Sequence, residues 1–276
     1  MTAPVPPPRT ATGLLPARCL IRTEEGERLP ALLWAAGPGW RMISSAVLGG
    51  GIGERAWVLN AQVAHGYRRR DPDRHLARLA AGFGVGGPGV GLMTAADVSR
   101  NGQAHDGGAE ALATVGLTVR GWAAAADEGG VADEGSVADE GSVADEGSVA
   151  DEGSVADEGS VAYEPPGTVN VVAALPVALT DAALVNAVAT ATEAKVQALL
   201  DAGYDCSGTP TDAVCVAARI PRPGEEVHPF AGPRSPWGAR LARAVHRAVA
   251  AATPPPWDGR RSGGAGRPAE AAWPAV

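Results

Sequence analysis

Two short segments concentrate the groups that could do chemistry. Ala189-Thr190-Ala191-Thr192-Glu193-Ala194-Lys195 carries a carboxylate, two hydroxyls and an ammonium. Gly208-Thr209-Pro210-Thr211-Asp212 adds two more hydroxyls and a second carboxylate. Lys195 is the only lysine of the chain, against 22 arginines, so cationic positions are otherwise filled by arginine. Breaking or forming an acyl bond needs an activated nucleophile, donors for a developing oxyanion, and an acid for the leaving group. The Gly208-Thr-Pro-Thr-Asp212 loop places two hydroxyls and a carboxylate around backbone N–H groups, which can supply a reacting oxygen and oxyanion donors. The bland alternative for the same loop is a turn closed by a local side-chain hydrogen bond.

The elements that must position these groups follow from period and punctuation. Thr180-Asp181 opens the longest helix, which is expected to run to Gly203. At about 100° per residue, Val185, Val188, Thr192, Val196 and Leu199 share one stripe. Glu193 then lies roughly 90° to one side of that stripe and Lys195 roughly 70° to the other, both at the rim of the buried face. Thr168–Leu175 reads as a buried strand and Ala213–Ala217 as another, so the two polar segments fall between strands. Trp57–Val63, Gly89–Ala95 and Ala111–Val119 are further strands. Asp71-Pro72 caps a helix reaching about Ala81, and Ser235-Pro236 starts one ending before Pro254. Interleaved strands and helices predict an α/β fold, a layered sheet-and-helix single domain over residues 12–253.

Between the halves of that domain lie five perfect copies of Val-Ala-Asp-Glu-Gly-Ser at residues 131–160. The repeat carries paired carboxylates and little apolar area, so a disordered acidic loop is expected at about 126–162. Residues 1–11 and the Pro/Gly-rich tail 254–276 are expected to be disordered as well. Residues 127–164 hold 13 acids and no base, so the net charge of −8 is misleading: the rest has 18 acids against 23 bases. A mild, scattered excess of five fits a neutral or anionic small ligand and gives no footprint for nucleic acid.

Other motifs fail on context. Leu48-Gly-Gly-Gly-Ile-Gly53 lacks the Lys-Ser/Thr of a P-loop, and Gly82-Phe-Gly-Val-Gly-Gly87 follows a helix instead of a strand. No Gly-x-Ser-x-Gly elbow is present. The five histidines, His65, His75, His105, His228 and His246, have no zinc-ligand spacing. Cys19, Cys206 and Cys215 form no CxxC and no even framework, which predicts a reducing, cytoplasmic setting. The Pro-rich start has no apolar core of a signal peptide, and no apolar run reaches about 18 residues, so no membrane association is expected.

Ser44-Ser-Ala-Val-Leu-Gly-Gly-Gly51, Val58-Leu-Asn-Ala-Gln-Val63, Gly91-Leu-Met-Thr-Ala-Ala96, Gly167-Thr-Val-Asn170, Thr192-Glu-Ala-Lys195, Gly208-Thr-Pro-Thr-Asp212 and Trp237–His246 together resemble the adenosylcobinamide amidohydrolase family. The likeness covers roughly residues 40–250, and the acidic repeat departs from the family pattern. The resemblance implies hydrolysis of adenosylcobinamide to adenosylcobyric acid and 1-amino-2-propanol in corrinoid salvage for coenzyme B12 synthesis. The corrinoid is then substrate and no cofactor is implied. Metal need and oligomeric state are not fixed by these residues. On that reading Asp212 or Glu193 is the base, and Thr209 or Thr211 is the nucleophile or positions water. Lys195 polarises the carbonyl or protonates the amine, and Asn60 and Ser45 donate to the amide rim of the corrin; from the residues alone, Ser44, Ser45 and the substrate-binding candidate Thr94 are hydroxyl nucleophiles or donors. Asp73-Arg-His75 lacks the glycine of the Asp-x-His-x-x-Gly motif that supplies a cobalt ligand in some corrinoid proteins. Two rival functions are a non-catalytic corrinoid-binding protein and an Ntn-like or β-aminopeptidase-like hydrolase of another small amide.

Overall fold

The computed structural model describes residues 13–124 and 167–255. The expectations for residues 1–11 and 126–162, and for the tail beyond Pro255, lie outside the described residues. The strands are β1 (Arg18–Glu24), β2 (Glu27–Trp34), β3 (Trp40–Ser44), β4 (Gly51–Glu54), β5 (Val58–Gln62), β6 (Val90–Thr94), β7 (Asn101–Asp106), β8 (Ala109–Val115), β9 (Val169–Leu175), β10 (Ala178–Leu179), β11 (Ala213–Arg219) and β12 (Val227–His228). The helices are α1 (Pro72–Gly82), α2 (Asp181–Asp201) and α3 (Pro236–Ala252).

Period-two burial explains the layers. In β9, Val169, Val171, Ala173 and Leu175 pack with α2 and α3, while Val172 and Ala174 point the other way. That second face meets Leu32, Trp34, Val58, Val90 and Leu92 of another sheet. The far side of the other sheet, with Ala31, Leu33, Leu59 and Ala61, is covered by Leu76 and Ala80 of α1. The molecule is thus helix, six-stranded sheet, four-stranded sheet, helix, an α/β domain built in layers. The six-stranded order is β4-β3-β11-β9-β8-β7 and the four-stranded order β1-β2-β5-β6. Among the described residues a short β10-β12 pair stands beside these two sheets. The two parallel pairs of the large sheets, β5 with β6 and β9 with β11, are each joined by a crossover containing a helix, α1 and α2 respectively.

Caps decide where the helices begin. Thr180 Oγ1 accepts from the Ala183 N–H at 3.1 Å, and Ser235 Oγ from Gly238 at 3.1 Å. Asp71 stands at the N-cap position of α1, but its side chain does not cap. Arg69 and Arg78 take that carboxylate instead and hold it well below its ordinary range.

The face of α2 differs from the expected stripe. The buried positions are Ala183, Leu184, Ala187, Thr190, Ala191, Ala194, Lys195, Ala198 and Leu199. Val185 is 58% exposed and Thr192 is exposed too. Alanine, not valine, faces the sheet, because small side chains let the helix backbone lie close to β9, β11 and α3. The shift of about one residue carries Lys195 from the expected rim into the buried face and leaves Glu193 outside it.

Candidate active site

The starts of β9 and β11 and the ends of β3 and β8 lie at one end of the six-stranded sheet, because β9 and β11 run antiparallel to those neighbours. Into that end α2 delivers Lys195. Its Nζ contacts Asp212 Oδ2, and the two side chains are only 7% and 11% exposed. Asp212 is the last residue before β11. Its other oxygen, Oδ1, accepts from the Val169 N–H at 2.8 Å and from the Thr209 hydroxyl at 2.6 Å. The carboxylate is therefore fixed at both oxygens, with a hydroxyl aimed at one of them. Thr211 pairs with Thr168 at 2.8 Å, Oγ1 to Oγ1, and bonds the Gly167 carbonyl at 3.3 Å.

Gly208 makes the arrangement sterically feasible. Its φ of +145° suits glycine, and a Cβ there would overlap Asp212 Oδ2 and come within 2.6 Å of Lys195 Nζ. The loop backbone thus lies directly against the ion pair. Cys206 is buried just before it, and burial pushes its thiol above the ordinary value, against an opposing contribution from the Gly208 backbone. Deeper in the core, burial pushes the Cys215 thiol to about 12.

Ser45 sits beside this loop. Its Oγ accepts from the Val214 N–H at 3.1 Å, two residues past Asp212, and its own N–H bonds the Val214 carbonyl. The neighbouring Ser44 hydroxyl also donates to Val214 O, at 2.9 Å. Asn60 and Thr94 belong to a polar seam between the sheets. Asn60 donates to Thr114 Oγ1 at 2.9 Å, and Asn170 Nδ2 donates to Asn60 Oδ1 at 2.9 Å and to the Met93 carbonyl at 3.1 Å. Thr94 Oγ1 accepts from the Ala96 N–H. Asn60 and Thr94 are both buried, at 2% exposure each. Asn170 Oδ1 is the one fully buried side-chain polar atom without a partner among the described residues.

Thr209, Thr211, Asp212 and Lys195 therefore come together, with Ser45 adjacent. Glu193 does not join them. It lies exposed on the side of α2 facing α3, lining a groove of about 230 Å³ with Gln197, Arg243, His246 and Arg247. Sequence reasoning did not single out Thr168, Asn170 or Gly208 for a role. Polar Asn170 inside an otherwise apolar run, and a glycine before Thr-Pro-Thr-Asp, were the available signals. Among the described residues no group of three His, Cys, Asp or Glu is placed to hold a metal ion, and no helix is long and apolar enough to cross a membrane.

The layered α/β frame thus holds a buried carboxylate–ammonium pair with a hydroxyl on the carboxylate. Comparison with known proteins narrows this. Residues 17–255 match the profile of adenosylcobinamide amidohydrolase, so the chain belongs to the adenosylcobinamide amidohydrolase family. Among curated proteins, it is 51% identical over 88 residues to the adenosylcobinamide amidohydrolase of Halobacterium salinarum, covering 32% of this chain and 36% of that one. It is 37% identical over 92 residues to the protein of the same name from Methanosarcina mazei, covering 31% of this chain and 46% of that one. The matched part thus spans between a third and a half of those relatives.

Proposed function

We propose that this chain is a cytoplasmic hydrolase that cuts the aminopropanol amide of adenosylcobinamide. The products are adenosylcobyric acid and 1-amino-2-propanol, and the step serves corrinoid salvage toward coenzyme B12. The family supports the substrate, and one observation carries the chemistry: the Thr209 hydroxyl donates to Asp212 Oδ1 at 2.6 Å. That is hydrogen-bond reach for a general base acting on a nucleophile.

In this reading Thr209 Oγ attacks the amide carbonyl while its proton passes to Asp212. The C–N bond of the tetrahedral adduct breaks, and the proton held by Asp212 goes to the departing amine. Water, deprotonated by the same carboxylate, then cleaves the Thr209 ester, and the proton returns to Thr209. Val169 N–H and Lys195 keep Asp212 oriented throughout, one on each oxygen. The ammonium also places positive charge beside a centre where negative charge develops. Thr211 is tied to Thr168 and Gly167, which makes it a brace of the loop in this reading.

The test is release of 1-amino-2-propanol from adenosylcobinamide by the purified chain and its variants. Asp212→Asn should slow turnover by about 10²–10⁴-fold, the usual span for loss of a general base. Thr209→Ala should do the same, with Thr209→Ser retaining part of the rate. Glu193→Gln should stay close to the parent chain. Retention of more than about a tenth of the rate in Asp212→Asn, outside that span, removes Asp212 as the base.

A further inference from the structure

We propose that Trp122 is a substrate-binding residue, a fixed aromatic platform that takes the flat conjugated face of the corrin ring while the amide arm reaches Thr209 and Asp212. This rests on the hydrolase reading for the identity of the ligand. The geometry behind it is independent of any turnover.

Trp122 is large, apolar and 46% exposed, yet it is held firmly in place. The Gly121 N–H bonds the Gly208 carbonyl at 3.0 Å, and the Ser207 N–H returns to the Gly121 carbonyl at 2.9 Å. Ser207 Oγ donates to that same carbonyl at 3.1 Å and accepts from the Ala123 N–H at 2.9 Å. The indole N–H donates to Asp205 Oδ1 at 3.2 Å. Five hydrogen bonds thus clamp residues 121–123 onto 205–208.

That clamp ends at the glycine lying against Asp212 and Lys195. One backbone step of about 3.8 Å and one cross-strand step of about 5 Å separate the Trp122 and Gly208 Cα atoms. An exposed indole at that range of a buried acid–base pair is placed to meet whatever the pair acts on. On the β3 side of the same site, Val47 is 53% exposed, two residues past Ser45. Apolar side chains therefore occur on both chain segments that flank the polar centre. A ligand with a broad apolar face and a polar arm matches that distribution. An indole offers it a rigid surface whose ordering cost is already met by the clamp.

Binding of adenosylcobyric acid, which has the ring but lacks the scissile amide, isolates the platform from hydrolysis. Equilibrium dialysis read by corrin absorbance would compare the full chain with Trp122→Ala and Trp122→Phe, each checked by thermal unfolding. Trp122→Ala should bind about tenfold more weakly or worse, in keeping with aromatic stacking energies. Its melting temperature should hold, because the ring is half exposed. Trp122→Phe keeps a ring face and loses the donor to Asp205, so it should remain within about threefold of the parent if stacking dominates. Parent-like affinity in Trp122→Ala overturns the platform. So does a loss in Trp122→Phe equal to that in Trp122→Ala, since it would assign the effect to the anchoring bond. If the chain binds this corrinoid through Trp122 but releases no aminopropanol from adenosylcobinamide, the platform stands and the hydrolase reading falls.

Discussion

Replacing Lys195 by methionine tests whether the centre of the site is a buried ion pair. Methionine keeps the length and apolar stem of lysine and removes the charge. Removing one partner of a buried pair typically costs about 3–5 kcal/mol, because the other charge is stranded. Here Asp212 would keep its two donors on Oδ1, Val169 N–H and Thr209, and would lose only the contact at Oδ2. The carboxylate is also 11% exposed, so water can reach part of it. Both facts place the loss at the low end of that range, about 3 kcal/mol. For a domain of this size each kcal/mol moves the melting temperature by about 2–4 °C, so a drop of about 6–12 °C is expected.

The cycle is completed with Asp212→Asn alone and with both substitutions together. Asparagine can still accept from Val169 and Thr209 through its amide oxygen, and the double variant strands no charge. Its loss should fall short of the sum of the single losses by about 2 kcal/mol, within the range for residues in direct contact. Thermal unfolding followed by circular dichroism at pH 7, with urea titration as a second axis, reads all four proteins. A loss below about 1 kcal/mol in Lys195→Met is the behaviour of a solvated pair. That result, or strictly additive losses, would refute a buried, coupled pair and return Lys195 to an ordinary cation on the helix surface.

Further outcomes follow from other groups. Gly208→Ala should abolish turnover and lower stability together, since a Cβ would overlap Asp212 Oδ2 at a φ of +145°; parent-like turnover would show that the loop can retreat. Burial, helped by Arg69, Arg22 and Arg78 and opposed by Glu24, holds His75 below its ordinary value of 6.5. Below pH 6.5 the unfolded chain therefore takes up a proton that the folded one refuses, so stability should fall with pH until the folded value is passed. A pH series of melting temperatures should show that slope, and His75→Gln should flatten it. Of the three free thiols, exposed Cys19 should alkylate first at pH 8 and Cys215, with its thiol near 12, last; peptide mass mapping reads the order.

How far the chain could be read depended on where each element lies. Strands β5, β6, β8, β9 and β11 are apolar runs bounded by glycine, proline or polar residues, and all five sit inside their sheets or on a covered face. The strands not singled out include β1, β4 and β7, which are sheet edges. Gly51-Ile-Gly-Glu54 and Asn101-Gly-Gln-Ala-His-Asp106 have too little apolar area for a period to show. Strand β2 is masked by Pro30, which pairs with Ile21 of edge strand β1. The cluster Thr209-Thr211-Asp212 was legible because it is contiguous, and Lys195 because it is unique. The distance of Glu193 from Asp212 was not. It turns on which side of α2 is buried, and with alanine at five of its buried positions the valines pointed to the wrong face.

The same burial explains why this chain keeps one lysine. Its arginines make forked pairs with aspartates near the surface: Arg41 with Asp181, Arg69 with Asp71, Arg243 with Asp106. These suit a planar cation with room to lie flat against a carboxylate. The partner of Lys195 offers no such room. Asp212 presents one oxygen to the interior, its other oxygen is already taken twice, and Gly208 lies against both heads. A carboxylate with one oxygen available cannot be gripped bidentately, so the fork of arginine loses its advantage while its width remains. A compact ammonium on a slim stem, rising from a helix face lined with alanine, meets that geometry. The bond from Thr209 to Asp212 then depends on the lysine indirectly: the ammonium fixes Oδ2, and Val169 and Thr209 share Oδ1. Three segments, the last third of α2, the start of β9 and the loop before β11, are joined at a single carboxylate. Substitution at any of them should be felt at the hydroxyl that we assign to the reaction.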